Sequence, residues 1–410
     1  MQKNPANSFA ELTFKKFNSL PKTGKPTKSE WTVLSSIIQV DSLTGDSKVV
    51  ALGCGTKCIG KSKLCPLGLI LNDSHAEVLA RRGFLRYIYH QLKTKSNIFI
   101  YDNDSGVFRR KESIAFHFFS TQVPCGDACI VTDPTKGEEE EIASKRVKLD
   151  IVTSSDAGDV LTPDNKVFTG AKLIGENTLD PMHQVQGSLR TKPGRGDRTL
   201  SMSCSDKLSK WNILGIQGAF LDMFLEKPIY LESLNFSCDF DMDSMKRAIY
   251  MRWKEREHKS SRFIAQEPQI QLATQCSFEF SQDADKNASP NGLVWCDVPE
   301  EKVPYEISVN GKKQGITKKL LQSKKSSLKI SKLNLLEEFL QLIKLNPHFK
   351  TKLGLKIDDE LKTITYCELK QKCQEYQNSW KTLKESYFQQ WTTKPENLLS
   401  FNLLSCNKES

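Results

Sequence analysis

The sequence predicts an α/β protein, a central mixed sheet flanked by helices, on three observations. Between His75 and Leu92, the residues Val78, Leu85, Ile88, Tyr89 and Leu92 recur at helical spacing on one stripe. Two short apolar runs, Lys48-Val-Val-Ala-Leu-Gly53 and Ser113-Ile-Ala-Phe-His-Phe-Phe-Ser120, read as strands. A further helix starts at Cys204 and continues through Trp211 and Leu214. Helices that alternate with strands in this way bury their apolar faces against one sheet.

In chain order, Trp31-Thr-Val-Leu-Ser-Ser-Ile-Ile38 fits either a helix end or a strand. Ser74-His75-Ala76-Glu77 fits a capping box, with Ser74 as N-cap and Glu77 at the third helical position. The strand ending at Ser120 runs into Pro124-Cys125, which should open a second helix. Cysteines at helix N-termini make physical sense, because that end of the dipole favours an anionic sulfur. Residues 133–165, with Glu138–Glu141 and then Ser144–Asp150, are poor in apolar side chains and predict a mobile insertion. Within it, Lys145-Arg-Val-Lys-Leu-Asp150 reads either as a solvated charge run or as a short nuclear-import signal, which sets nucleus and cytoplasm as the expected locations. Gln184–Arg198 is rich in Gly, Lys and Arg and reads as a flexible phosphate-contacting loop. Gln282–Gly292 is a polar break, and 312–381 is a lysine-rich C-terminal part with helical patterning. The expected organisation is one domain over 1–410, with a core at about 50–395.

Hydrophobic residues make up 38% of the 410, enough for a sizeable core, and the formal net charge of +10 should attract polyanions, nucleic acid first. No stretch approaches the roughly 20 apolar residues that span a bilayer, so no membrane partner is expected. The N-terminal Met1-Gln-Lys-Asn-Pro-Ala-Asn-Ser8 has no apolar run of the secretory kind. Twelve cysteines spread over so long a chain suggest reduced thiols, some of them metal ligands. No obvious exposed apolar helix argues for an oligomer, so a monomer is expected.

His75 and Cys125 are candidate zinc ligands, and a third comes from either Cys129, four residues on, or Cys204. Three protein ligands leave the fourth tetrahedral position open to water, and Glu77, two residues from the histidine, can carry protons without binding the metal. A His-x-Glu followed by Pro-Cys is the mark of hydrolytic nucleobase deamination. A closed structural site would want a fourth Cys or His nearby. Cys54, Cys58 and Cys65 have no fourth partner and read as structural thiols, and His117, inside a Phe-rich strand, reads as a core histidine.

Four ordered motifs carry a resemblance: Gly53-x-Gly55-Thr56-Lys57-Cys58, Leu71-Asn-Asp-Ser-His-Ala-Glu77 with Arg81-Arg82, Pro124-Cys-Gly-Asp-Ala128, and Ser203-Cys-Ser-Asp-Lys207. Together they resemble the adenosine deaminases acting on RNA, the ADAR family. That resemblance implies a cytidine-deaminase-like sandwich, Zn²⁺ held by His75, Cys125 and Cys204, and Glu77 as the proton carrier. It implies attack of an activated water on C6 of adenine, giving inosine. It also implies that Thr56 and Lys57 contact the target nucleotide, and that Gln186 lies near the position that fills the gap left by the flipped base.

The same resemblance implies a buried inositol hexakisphosphate, bound by Asn72, Arg81, Arg82, Lys207, Lys210, Trp211, Lys312, Tyr366, Lys370, Tyr376, Trp391 and Lys394. Two departures stand out: Lys210 where the family has arginine, and Ala219 where it has a ligand-binding serine. The resemblance runs from about Gly53 to Lys394, with no sign of an appended duplex-RNA-binding module. It therefore looks like the tRNA-specific enzymes that convert the adenosine 3′ of the anticodon in alanine tRNA. Editing of duplex RNA or mRNA, and a non-catalytic zinc-containing RNA-binding protein, are the alternatives.

Overall fold

The computed structural model describes residues 4–131, 160–161, 167–168, 171–174, 185–194, 197–254, 260, 262–301, 303–355 and 360–406. The expected mobile insertion at 133–165, apart from 160–161, and the Lys145–Asp150 motif lie outside these residues.

Eight strands form a mixed sheet in the order Gln269–Leu272, Ser233–Phe236, Ile114–Ser120, Leu34–Asp41, Ser47–Cys54, Asn291–Cys296, Tyr305–Val309, Lys312–Lys313. The first three run parallel to one another and the other neighbours pair antiparallel. Trp31–Ile38, open between helix and strand in the sequence, is extended: Leu34–Asp41 lies between two strands, with Ile37 and Ile38 buried on opposite faces. Alternation in Ile114–Ser120 sends Phe116 and Phe118 into the main core and Phe119 to the opposite face. His117 is half-buried in this strand: its Nδ1 lies 2.8 Å from Ser233 Oγ, and burial lowers its pKa to about 4.

Helices cover both faces. Pro5–Ser19, capped by Asn4, packs Phe9 and Phe17 onto Leu34, Ile38 and Leu52. On the other face, Ala76–Lys93 packs Phe84, Tyr87 and Ile88 against Ile37 and Val50. Its buried stripe is wider than the sequence pattern predicts and includes Leu79, Ala80 and Phe84, while Val78 and Leu85 are only half-buried. The helix lies so close to Ser47–Cys54 that a Cβ on Gly53 would collide with Ala76 O and Ala80 N. A glycine is therefore required where the helix meets the sheet. The lysine-rich C-terminal part is helical over Lys332–Leu345, Tyr366–Lys372 and Gln374–Ser386. No helix among the described residues is long and apolar enough to cross a membrane.

Candidate active site

The hairpin of Thr56–Cys58 with Asp73–His75 delivers the first candidate ligand, and Thr56 lies directly across from His75. His75, not Ser74, is the N-cap of the helix. Ser74 remains in the strand, so the expected capping box does not form. The first helical amide, Ala76 N, instead donates to Gly55 O at 2.9 Å, and Asp73 Oδ1 accepts from His75 N at 3.0 Å.

Cys125 does not open an α-helix either. It sits in a bend before the short 3₁₀ turn Asp127–Cys129, because Gly126 adopts φ 110°. A Cβ there would collide with Ser203 Oγ, so this glycine allows the turn to lie against the second cysteine's helix. Ser205 fastens the two pieces: its N donates to Cys125 O at 3.0 Å and its Oγ to Pro124 O at 2.9 Å. Cys204 opens the helix Cys204–Leu214, as its sequence predicts, with Ser203 as N-cap.

These elements bring His75, Cys125 and Cys204 together, with donor atoms within 4.8 Å of one another. Both Sγ atoms lie 3.9 Å from His75 Nδ1. Zn–N bonds of about 2.0 Å and Zn–S bonds of about 2.3 Å at a tetrahedral angle set donors about 3.6 Å apart, so the set fits zinc with little closure. Cys129 stays out of this group and lies against Pro124 O. Cys204 N, at the helix N-terminus, donates to Cys125 Sγ at 3.4 Å. The hydrogen bond from Cys204, helped by Lys192 and His75, pulls the Cys125 thiol well below its ordinary range against the effect of burial. All eleven cysteines whose side chains are described are free thiols.

Glu77 is 4% exposed, and its Oε2 has no hydrogen-bond partner among the described residues. It lies in the first turn of the helix that follows His75, and its charge acts on both Cys204 and Lys192. A buried carboxylate oxygen without a partner is costly unless a substrate or water uses it. Among the described residues, Thr56 Oγ1 is likewise buried without a partner, on the residue that faces His75. Lys57 follows it, across from Ser74.

Several residues of this site escaped the sequence reading. Lys192 lies in the stretch expected to be flexible and phosphate-contacting, yet it is 1% exposed, and Arg190 and Thr191 beside it are buried. Its Nζ donates to Cys204 Sγ and to Asp73 Oδ1, both at 3.0 Å. Burial would lower its pKa, but Asp73, Cys204 and Cys125 together hold it well above the ordinary value. Burial would likewise raise Asp73, and Lys192 and Lys207 outweigh that and keep it ionised. Nothing local in the sequence distinguishes Lys192 from Arg198 of the same stretch, which is exposed.

Two aspartates, each two residues beyond a metal cysteine, are fully buried. Asp127 pairs with Arg247 at 3.3 Å and Asp206 with Arg252 at 2.8 Å. Both arginines flank one segment, the π-helical turn Arg247–Met251 and the residue after it. Gln186 sits in an exposed turn whose next amide, Gly187 N, donates to Asp127 Oδ1 at 2.8 Å, tying that turn to the Cys125 loop.

A cation cluster lies behind the metal ligands. Lys210 Nζ stands 3.4 Å from the Trp380 ring centre and within 6 Å of Tyr376 and Trp391. Arg81 stacks over Trp211, and Lys370 faces Tyr366. Burial and neighbouring cations lower Lys394 to about 8 and Arg82 to about 10, and push Lys210 and Lys332 well below their ordinary values. Among the described residues, no carboxylate forms an ion pair with Arg81, Arg82, Lys210, Lys332, Lys370 or Lys394, and Arg82 Nη2 is buried without a partner. Lys207 joins this cluster to the metal centre, since it bonds Asp73 and its charge acts on Lys394. Such a set fits a small, densely charged polyanion.

Lys312, expected among the ligands of that polyanion, has its Nζ engaged elsewhere, donating to Leu321 O at 3.0 Å, and Lys332 takes a place among Arg82, Lys370 and Lys394. Asn72 is half-buried on the hairpin, and its backbone O accepts from Ile59 N at 3.0 Å. Ala219 is buried in the short helix Gly218–Asp222.

The adenosine-deaminase (editase) domain matches residues 51–395, a span that contains every residue of the metal group and the cation cluster. The chain belongs to that family. As an editase-family protein it is an adenosine deaminase. It is 50% identical to tRNA-specific adenosine deaminase 1 of Drosophila melanogaster over 98% of both chains. It is 32% identical to the Homo sapiens protein of that name, over 97% of this chain and 99% of the relative. The double-stranded RNA-specific adenosine deaminase of Mus musculus is 27% identical over 97% of this chain, which spans only 32% of that longer protein.

Proposed function

We propose that this editase converts adenosine to inosine in tRNA by zinc-dependent hydrolysis, at the adenosine beside the anticodon of alanine tRNA. The observation that carries the chemistry is Glu77, buried on the helix that follows His75 of the His75–Cys125–Cys204 group, with a carboxylate oxygen that has no hydrogen-bond partner among the described residues. Zinc in that group would supply the Lewis acidity that makes a water nucleophilic near neutral pH. Glu77 takes the proton from that water, passes it to the purine ring nitrogen and assists departure of ammonia. Lys192, 3.0 Å from Cys204 Sγ, offsets the negative charge of the thiolates. Thr56, opposite His75, and Lys57 border the site and would meet the target nucleotide.

The tRNA substrate is supported by similarity over nearly full length to relatives named for tRNA. An adenosine in a loop is also cheaper to unstack than a paired one. A cytidine-deaminase-like sandwich is in keeping with the mixed sheet and its two helical layers. The cation cluster supports inositol hexakisphosphate as a buried structural ligand, with Lys332 in place of Lys312. A monomer and a nuclear and cytoplasmic location complete the reading, the location resting on the Lys145–Asp150 motif.

The test is inosine formation on unmodified alanine tRNA and on duplex RNA by the wild type and Glu77→Gln, with zinc measured in both. Expected is inosine next to the anticodon from the wild type only, at equal zinc content. Inosine in the duplex alone would move the substrate to long paired RNA. Equal turnover by Glu77→Gln would remove the assigned role of Glu77.

A further inference from the structure

Eight lysines and no carboxylate lie between Ile307 and Leu336, and six of them form three pairs at six-residue intervals: Lys312-Lys313, Lys318-Lys319 and Lys324-Lys325. The first pair is the edge strand of the sheet, and the second and third open the 3₁₀ turns Lys318–Leu320 and Lys324–Ser326. Each pair offers at least one exposed ammonium: Lys313, both Lys318 and Lys319, and Lys325 are exposed. Among the described residues, Lys318, Lys319 and Lys325 form no ion pair, whereas Lys324 is held by Glu337 at 2.7 Å and Lys313 lies 3.9 Å from Glu306.

The segment is built to keep its shape. Lys312 reaches inward to Leu321 O at 3.0 Å, and Ser326 Oγ donates to the same carbonyl at 3.0 Å. Ser323 Oγ donates to Leu320 O at 2.9 Å. An inward lysine that serves as an anchor leaves the remaining cations on a fixed, outward-facing support, so a partner need not order them first.

Its position joins it to the metal hairpin. Lys313 is the cross-strand partner of Ser308, whose Oγ lies 3.4 Å from that of Ser74, the residue before His75. The turn between the two edge strands packs Gly311 against Ile59 and Ile70, and Gly311 O accepts from Leu71 N at 2.9 Å. That connection also carries the exposed Lys61 and Lys63.

We propose that this lysine loop is a second RNA-binding surface, which tracks the phosphate backbone of a helical part of the substrate while the adenosine sits at the metal centre. The inference rests on the RNA substrate proposed above. Exposed ammonium groups on a fixed backbone, three of them outside any ion pair among the described residues, are what a phosphate backbone requires, and point charges on flexible stems grip phosphates without reading sequence. A membrane surface is less suited to it, since none of the large exposed apolar side chains lies within 307–336, and lipid anchoring needs apolar insertion as well as charge.

The test is equilibrium binding of full-length tRNA and of a bare anticodon stem-loop between 50 and 200 mM salt, by wild type and by Lys318→Gln/Lys319→Gln/Lys325→Gln. These side chains are exposed, so the variant should keep the wild-type melting temperature. Expected is a loss of about tenfold or more in affinity for full-length tRNA, with the salt slope smaller by about three, one for each phosphate contact. The stem-loop should lose less, and the single-turnover rate constant at saturating enzyme should not change. If the variant matches the wild type in affinity and slope while both deaminate RNA, the loop is not an RNA surface and the proposed function still holds. If wild-type enzyme neither binds nor deaminates RNA, both readings fall. Unchanged RNA binding with loss of co-sedimentation on phosphatidylserine vesicles would give the surface to membranes and overturn the inference.

Discussion

Replacing Arg252 with Met should cost the fold about 3 kcal/mol and loosen the metal centre at the same time. Arg252 is 9% exposed in its side chain and Asp206 is 0% exposed, with 2.8 Å between Nη1 and Oδ1. Breaking a buried pair from one side costs about 3–5 kcal/mol, because the remaining charge stays buried without its partner. Asp206 keeps two other donors on Oδ2, Ser203 Oγ at 2.6 Å and Arg190 N at 3.0 Å, which puts the cost at the lower end of that range. An unfolding entropy of about 2.1 cal/mol/K per residue over the whole chain makes this a fall of about 3–4 °C in Tm. Asp206 also orders the first turn of the helix that begins with Cys204, so a displaced Asp206 moves one of the three candidate metal donors. Zinc affinity, read by competition with a chromophoric chelator, should fall by about tenfold. In the double variant Arg252→Met/Asp206→Asn the charge is gone, and the double should be less destabilised than the two single effects added together, by at least about 1 kcal/mol. Single and double variants that lose strictly additive amounts, or Arg252→Met within about 0.5 kcal/mol of wild type with unchanged zinc affinity, would refute the reasoning.

Gly53→Ala puts a methyl group into the backbone of Ala76 and Ala80, so the helix carrying Glu77 must shift; a loss of about 1–3 kcal/mol in urea unfolding and reduced turnover are expected, and a neutral result would mean the helix can retreat. Lys192→Met leaves Cys204 and Asp73 without their shared cation, and zinc affinity should fall about 10–100-fold; unchanged affinity would make Lys192 a packing residue only. Lys394 has a folded pKa of about 8 against an ordinary 10.5, so between these values the unfolded chain holds more protons, and stability without a polyanion should rise with pH from about 8. Inositol hexakisphosphate favours the charged form, so it should raise Tm at pH 7 more than at pH 9; a ligand that leaves Tm unchanged at both would exclude this site for it.

The legible part of the fold was the part with local periodicity. Lys48–Gly53, Ser113–Ser120 and the helices at His75 and Cys204 lie where their apolar patterns put them, because burial of one face dictates both pattern and element. The errors occur where a long-range contact outweighs a local preference. Ser74 has the chemistry of an N-cap, but pairing with Lys57 keeps it in a strand and passes the cap to His75. Pro124-Cys125 looks like a helix start, but the turn at Gly126 is set by packing on Ser203. Lys312 and Lys332 carry the same side chain twenty positions apart, and only the path of the edge strand decides which one faces the cations.

The sequence by itself determined the chemistry. A histidine and a carboxylate two residues apart, with two distant cysteines in ordered motifs, restrict the metal and the reaction whatever path the chain takes between them. Only the tertiary structure decided what surrounds that chemistry: the burial of Lys192 between Asp73 and Cys204, and the arginines that hold Asp127 and Asp206. The reason is physical. A ligand set is specified by residue type, whereas the partner of a buried charge is specified by which segments the sheet and helices bring together. Those segments lie 12 to 120 positions apart in the chain.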